Sequence, residues 1–440
     1  MPFSKLKKIS PLSVLVILAL LVRVVWFFYI SGISQNNFFY VDSLGYQQLA
    51  ENILNGNPYS LSGEPPFYPD VFRTPVLPLI LVLCNANIEA FILLQIFLSV
   101  LTVIITHRLA LRISGHKKIA FMAGLLVAID VPSVVFANMI MTETLYTLFL
   151  LAAVYQLFIW KETSNRKHLL FSSVFFGLTA LTRPIGIFFP LFVLPLLWLI
   201  NRKKNVPVIK GNIQFLLPFG ILSGSWIVRN YLVFGSFFFS HIGTLNLAFF
   251  SAGTIRSETQ QLHINVARTQ LYEEAAENMS TTPYDDPAAF YVNLRNVCIK
   301  EMMSHPRLFL ANAAKANFRL FFYPMSGFVN QVQTGMNPHL AWDVKELYPV
   351  TKTLVVFQLI FIIFYSTGIL LCFILFFRKE FNGFLLFILT WILLYFSLTG
   401  FGPEMEARFR IPAMPYIAIL AACGWILFFQ STLFKKSTEK

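Results

Sequence analysis

Ten apolar runs, several of them close to twenty residues long, constrain this chain more than any motif does. They cover Pro11–Ile30, Ile88–Thr106, Ile119–Phe136, Glu143–Trp160, Leu169–Thr182, Ile185–Ile200, Ile213–Val228, Thr353–Phe377, Phe384–Leu398 and Ala413–Gln430. A hydrocarbon core needs about 20 residues of helix at 1.5 Å per residue, so each run is a candidate span whose ends are uncertain by a turn. With 56% hydrophobic and 12% charged residues and a mean hydropathy of +0.65, the 440-residue chain lacks the polar surface of a soluble globule. The expected fold class is an all-α polytopic membrane protein, a bundle of about ten transmembrane helices with a mostly helical soluble segment.

The positive charges give this bundle an orientation. Lys5, Lys7 and Lys8 precede the first run, and Arg108, Arg112, Lys117 and Lys118 follow the second. Lys161, Arg166 and Lys167 follow the fourth, Arg202, Lys203, Lys204 and Lys210 the sixth, Arg378 and Lys379 the eighth, and Lys435, Lys436 and Lys440 end the chain. All fall on the side of the N-terminus, which the positive-inside rule makes cytoplasmic. The formal charge of +13 is thus a consequence of topology, and nucleic acid is not an expected partner. The polar stretch Arg229–Val350 carries nine Lys or Arg against nine Asp or Glu and belongs on the opposite face, with the loop Tyr40–Pro78.

Three parts follow: an N-terminal bundle over residues 1–228 with its first outer loop at 31–87, an outer domain over 229–350, and C-terminal spans over 351–440 with a last outer loop at 399–412. The first run contains Arg23 and precedes no convincing small-residue cleavage site, so it reads as an uncleaved anchor. Cys84, Cys298, Cys372 and Cys423 show no CxxC or metal-ligand spacing, and His241, His263, His305 and His339 show none either. No cofactor is indicated; a divalent metal is possible without support from the residues. There is no internal repeat of the kind many secondary transporters carry.

Local signals place the polar residues on short elements. Asp42 is a candidate cap for a helix running to about Leu54, ended by Asn55-Gly56-Asn57-Pro58. Thr74–Leu83 is too short to cross a bilayer and reads as an interfacial or re-entrant helix. In the outer domain, Asn265–Met279 reads helical, Asp286-Pro287 reads as a cap with a first-turn proline, and Arg307–Tyr323 reads as a basic amphipathic helix on the membrane surface.

An acidic side chain on an outward loop can deprotonate an acceptor, while guanidinium groups nearby steady a departing phosphate. Asp42 is the candidate base. Arg73, Arg183, Arg229, Arg408 and Arg410, all at the outer ends of spans or in outer loops, are candidate phosphate ligands. Tyr46 is a candidate sugar contact, and Glu143, at the start of the fourth span, is a further site candidate because a carboxylate so near hydrocarbon is costly. Each has a plainer reading: a helix cap for Asp42, an interfacial ring for Tyr46, an ion pair with Asp70 for Arg73, a helix-start carboxylate for Glu143, and snorkelling for Arg183. Glu404 and Glu406 could simply neutralise Arg408 and Arg410, whereas Arg229 breaks the charge trend and argues for a local anion. Arg23, inside the first span, is assigned to structure, pairing with an acid such as Asp130 or snorkelling.

The pattern Asp42-x3-Tyr46-x3-Ala50, then Asn55-Gly56-x-Pro58-Tyr59, then Phe72-Arg73-Thr74-Pro75 with Pro78 resembles the first outer loop of GT-C fold glycosyltransferases that use polyprenyl-phosphate sugars. These are the membrane enzymes related to protein O-mannosyltransferases and aminoarabinose transferases. Met141-Thr142-Glu143-Thr144-Leu145, Gly177–Pro184, Trp226–Tyr231 and Glu406–Pro412 extend the resemblance through most of the membrane part. It implies a sugar donor on a polyprenyl phosphate, a glycolipid, polysaccharide or protein acceptor, and Asp42 as general base in an inverting transfer. It also implies a multi-pass protein of the cytoplasmic membrane, N- and C-termini inside, with its active site outside. Where some members carry a second acid, this chain has Ser43, which argues against a paired-carboxylate mechanism. The competing class is a transporter or flippase for a lipid-linked or anionic solute, which would cluster polar residues at mid-span; here they gather at span ends.

Overall fold

The apolar runs become the longest helices of the computed structural model, which describes residues 10–203, 208–277, 282–325, 349–377 and 407–438, together with 279, 329, 391, 392, 395 and 399. In chain order the helices are α1 (Pro11–Ile33), α2 (Ser43–Leu54), α3 (Val76–Leu83), α4 (Ile88–Ser114), α5 (Lys117–Ala128), α6 (Val131–Phe136), α7 (Glu143–Thr163), α8 (Arg166–Thr182), α9 (Pro190–Lys203) and α10 (Val208–Phe234). Then come α11 (Ile242–Asn246), α12 (Gly253–Gln260), α13 (Ile264–Glu277), α14 (Pro287–Ser304), α15 (Pro306–Phe322), α16 (Pro349–Phe377) and α17 (Met414–Thr438). Among the described residues, six helices are long and apolar enough to cross a membrane, within α1, α4, α7, α10, α16 and the stretch Ala407–Gln430. The expected ninth span, Phe384–Leu398, lies outside the described residues apart from three positions.

Two expected spans are interrupted. Ile119–Phe136 divides into α5 and α6 at Asp130, whose carboxylate accepts from the Ser133 N–H at 3.0 Å and caps the second piece. Pro132 has no N–H for the Ala128 carbonyl four residues back. That carbonyl is taken by Arg23 Nη1 at 3.0 Å, while Arg23 Nε donates to Ser99 Oγ at 2.8 Å. The intramembrane arginine therefore does not snorkel; with Asp130 as a nearby countercharge, it satisfies backbone exposed by a broken helix, as a water-free environment demands. Ile185–Ile200 likewise starts as a 3-10 turn, Pro184–Phe188, before α9.

The main core joins α1, α4, α5, α7, α8, α16 and α17. Where α16 crosses α17, Gly424 lies so close to Gly368 that a Cβ there would overlap the Gly368 carbonyl, the close backbone approach that small residues permit between membrane helices. A second core, including Ile30, Phe38, Tyr40, Leu77, Phe91, Ile140, Met141 and Leu145, glues the polar loop onto the ends of α1, α4 and α7. The segment α11–α14 has a small core of its own around Leu271, Phe290 and Leu294. Arg256 bridges Glu274 and Glu301 across it at 2.9 and 2.7 Å. As expected, Asp286 caps α14, accepting from the Ala289 N–H at 2.9 Å, with Pro287 in the first turn. This segment is stitched to the polar loop: the His241 N–H donates to the Val71 carbonyl at 3.0 Å, and Tyr291 meets Phe72 edge to face.

Candidate active site

Asp42 stands at the start of α2, where capping would be the ordinary use of its side chain. No cap hydrogen bond forms; its φ and ψ of −86° and −13° are already helical, and the carboxylate, 38% exposed, turns outward. It sits between two guanidinium groups, with Oδ1 3.6 Å from Arg73 Nη2 and Oδ2 3.5 Å from Arg408 Nη1. Each arginine lies over a tyrosine of the same loop, Arg73 over Tyr46 at 5.3 Å and Arg408 over Tyr40 at 5.2 Å. Such cation–π contacts contribute about 0.5–2 kcal/mol each. Burial, with the nearby Asp42 charge, pushes the Tyr46 hydroxyl up to about 12, so it stays a neutral donor.

The next residue fixes the loop. Ser43 Oγ accepts from the Tyr40 N–H at 2.8 Å and donates to the Ile140 carbonyl at 2.9 Å, while the Ile140 N–H donates to the Phe38 carbonyl at 3.0 Å. Ser43 is thus fully buried and committed to backbone.

Arg73 reaches Asp42 because Asp70 does something else. The Asp70 carboxylate accepts the backbone N–H groups of Phe72 and Arg73 at 3.2 and 2.6 Å, a side-chain-to-backbone turn that swings the Arg73 side chain away from it. The expected Asp70–Arg73 side-chain bridge is replaced by this turn. Burial raises the Asp70 carboxyl above the usual carboxylate range, with Arg73 and these N–H groups opposing the shift. Gly45 leaves the path open: a Cβ there would stand 2.8 Å from Arg73 Cζ. We expect Gly45→Ala to push Arg73 off Asp42 and lower activity about 100-fold with helix content unchanged, measured by turnover and circular dichroism.

Beside this group lies a buried ion pair. Glu143, wholly inaccessible, bonds through Oε1 to Arg183, whose Nε also donates to Thr142 Oγ1 at 2.7 Å. Arg183 is neither snorkelled nor free for a ligand on that edge. Phe409 connects the two groups, its ring 4.8 Å from Arg408 Cζ and 5.6 Å from Arg183 Cζ. Arg183 also lies over the Tyr146 ring at 5.5 Å. Asp42, Arg73, Arg408, Arg183 and Glu143 thus form one array with three guanidinium groups against two carboxylates.

Two candidates fall outside it. Arg229 donates to the Asp70 carbonyl at 3.3 Å and to Asn230 Oδ1 at 2.8 Å, and it packs over Tyr59, Trp226 and Phe234. It fastens the loop to the end of α10. Arg410, 2% exposed, donates to the Phe321 carbonyl at 2.7 Å at the end of α15. Both are candidate phosphate ligands as cations near span ends; here Arg410 meets backbone carbonyls, and Arg229 meets one backbone carbonyl, the Asn230 amide oxygen and three aromatic rings. Sequence reasoning missed Tyr40, Thr142 and Phe409, although Thr142 and Phe409 stand next to singled-out residues, and it missed Gly45, for which the sequence has no signal. Glu404 and Glu406 lie outside the described residues. Among the described residues, no group of three His, Cys, Asp or Glu is placed to hold a metal ion.

An exposed carboxylate thus stands between two arginines, on a polar loop packed against the ends of helices long and apolar enough to cross a membrane. Residues 74–224, which hold Glu143 and Arg183, match the family described as dolichyl-phosphate-mannose-protein mannosyltransferase. The fold is similar to that of the Archaeoglobus fulgidus oligosaccharyltransferase AglB, captured with an inhibitory peptide and a dolichol-phosphate, at a TM-score of 0.53 and 14% identity over 98% of this chain and 51% of that one. The chain therefore spans about half the length of that structure. The Saccharomyces cerevisiae Pmt1–Pmt2 complex bound to its sugar donor is similar at 19% identity over 59% of this chain and 37% of that one, TM-score 0.40. ArnT from Cupriavidus metallidurans bound to undecaprenyl phosphate is similar at 13% identity over 93% and 77%, TM-score 0.40. No curated protein matches significantly by sequence. The family match over residues 74–224 and the fold shared with AglB agree with the resemblance read from the sequence.

Proposed function

We propose that this protein is a membrane glycosyltransferase that moves a sugar from a polyprenyl-phosphate carrier to a glycan, lipid or protein acceptor on the extracytoplasmic face. The observation that carries this reading is the Asp42 carboxylate, not used as a cap, held between Arg73 and Arg408 and open to solvent. Asp42 takes the proton of the acceptor hydroxyl or amine as that atom attacks the anomeric carbon. The bond from that carbon to the phosphate oxygen breaks, and the polyprenyl phosphate leaves with the bonding pair. Attack opposite the leaving group inverts the anomeric centre. Charge grows on the phosphate, and the array's excess cation, shared among Arg73, Arg408 and Arg183, is matched to it. Dolichol-phosphate and undecaprenyl phosphate in the similar solved structures support a carrier of this class.

The arginines test the reading. Arg73→Gln and Arg408→Gln should each lower kcat about 100- to 1,000-fold, the usual loss when one stabiliser of a developing anion is removed. Arg229→Gln, which touches the aromatic stack and backbone rather than Asp42, should stay within about threefold of wild type by the same measure. Equal losses in all three would show that the reading of Arg73 and Arg408 is wrong.

A further inference from the structure

Tyr365 stands near the middle of α16, a helix apolar and long enough to cross a bilayer. Its hydroxyl donates to the Phe321 carbonyl at 2.9 Å, in the last turn of α15. Gln358, nearer the start of α16, holds the chain leaving α15 from both sides: its Oε1 accepts from the Met325 N–H at 2.9 Å and its Nε2 donates to the Met325 carbonyl at 3.1 Å. The end of α15 is therefore bound to the side of α16, a helix long and apolar enough to cross a membrane. A helix end leaves its last carbonyls without partners inside the helix, and here side chains supply them.

Arg410 is the main supplier. Its Nη1 donates to Phe321 at 2.7 Å and approaches the Leu320 and Tyr323 carbonyls at 3.3 and 3.5 Å, and its guanidinium lies 5.8 Å from the centre of the Tyr365 ring. Arg410 belongs to the 3-10 segment Ala407–Ala413, which also carries Arg408 and Pro412. With three residues per turn, side chains two apart leave such a segment in different directions. One of these arginines points to α15, the other to Asp42.

We propose that Arg410 is a positioning residue: by clasping the end of α15 it fixes the rotation of this 3-10 segment and so holds Arg408 against Asp42. The proposal rests on the reading of Asp42 and Arg408 given above. Releasing the clasp lets the segment turn, and Arg408 loses its register while remaining in the chain.

The test uses the full chain in nanodiscs with Arg410→Gln and Arg410→Lys. The Gln variant should lower kcat about 10- to 100-fold with KM for the donor within about threefold, and Lys, which keeps the charge and three donors, should restore most of it. An independent arm removes the four native cysteines and places Asp42→Cys and Arg408→Cys in one chain. A short bis-methanethiosulfonate reagent should join them efficiently with Arg410 present and several-fold less with Arg410→Gln, measured on monodisperse folded protein. Unchanged cross-linking, or a Gln variant that loses thermal stability but keeps kcat per folded molecule, would overturn the proposal. If wild type turns over no donor, the transferase reading fails, and the cross-linking arm still decides whether Arg410 sets the position of Arg408.

Discussion

Asp42→Asn is expected to lower sugar transfer at least about 1,000-fold while donor binding survives, because on the proposed mechanism it removes the group that takes the acceptor proton. Asparagine keeps the size and hydrogen-bonding reach of the side chain but not its basicity. The fold should be indifferent: Asp42 makes no cap bond, its neighbours Arg73 and Arg408 keep their tyrosine platforms, and Ser43 continues to pin the loop. Removing one negative charge between two guanidinium groups leaves the array more cationic, so the affinity for a phosphate-bearing donor should hold or rise. Donor binding by isothermal titration and transfer with a labelled acceptor separate the two effects. Loss of both together would show that Asp42 is a structural residue.

Glu143→Ala carries the largest expected cost in stability. The Glu143 carboxylate is fully buried, its Oε1 bonded to Arg183 and its Oε2 without a hydrogen-bond partner among the described residues. Truncating one member of a buried pair strands the other charge, typically at about 3–5 kcal/mol. Arg183 would be left against Tyr146, Phe409 and Thr142 with its paired carboxylate gone. Thermal unfolding in detergent should therefore shift down sharply, and activity should fall with it, since Phe409 carries any movement of Arg183 toward Arg408. The double variant Glu143→Leu with Arg183→Met should recover most of the stability, because desolvation of both charges is then avoided, and should not recover activity. Full stability of Glu143→Ala would mean that the pair contributes little.

The elements were largely legible because apolar run length and capping chemistry are local. Asp286-Pro287 announced α14, and Asn55-Gly56 closed α2, without any tertiary contact. The break at Asp130 escaped because hydropathy runs smoothly across Pro132, even though that proline forbids one helical bond and Arg23 is present to take up the carbonyl. The candidate cluster was legible where a residue was singled out for its chemistry, as for Asp42, Arg73 and Arg408, which the structure brings together. It was not where meaning depends on what a long side chain reaches. Arg408 and Arg410 are two residues apart with the same charge and the same flanks, yet one meets a carboxylate and the other backbone carbonyls. Asp70 and Arg73, three apart, suggested a bridge, but a carboxylate so placed closes a turn on backbone N–H groups more readily than it meets a flexible guanidinium.

The measurement that bears most directly on the central claim is release of polyprenyl phosphate by wild-type protein in nanodiscs, offered a panel of polyprenyl-phosphate sugars with a membrane extract as acceptor. The proposed chemistry requires that at least one donor yield free polyprenyl phosphate in step with sugar appearing on an acceptor with inverted anomeric configuration. No release from any donor, together with protein-dependent movement of a lipid-linked or anionic solute across sealed vesicles, would contradict it and make the protein a transporter.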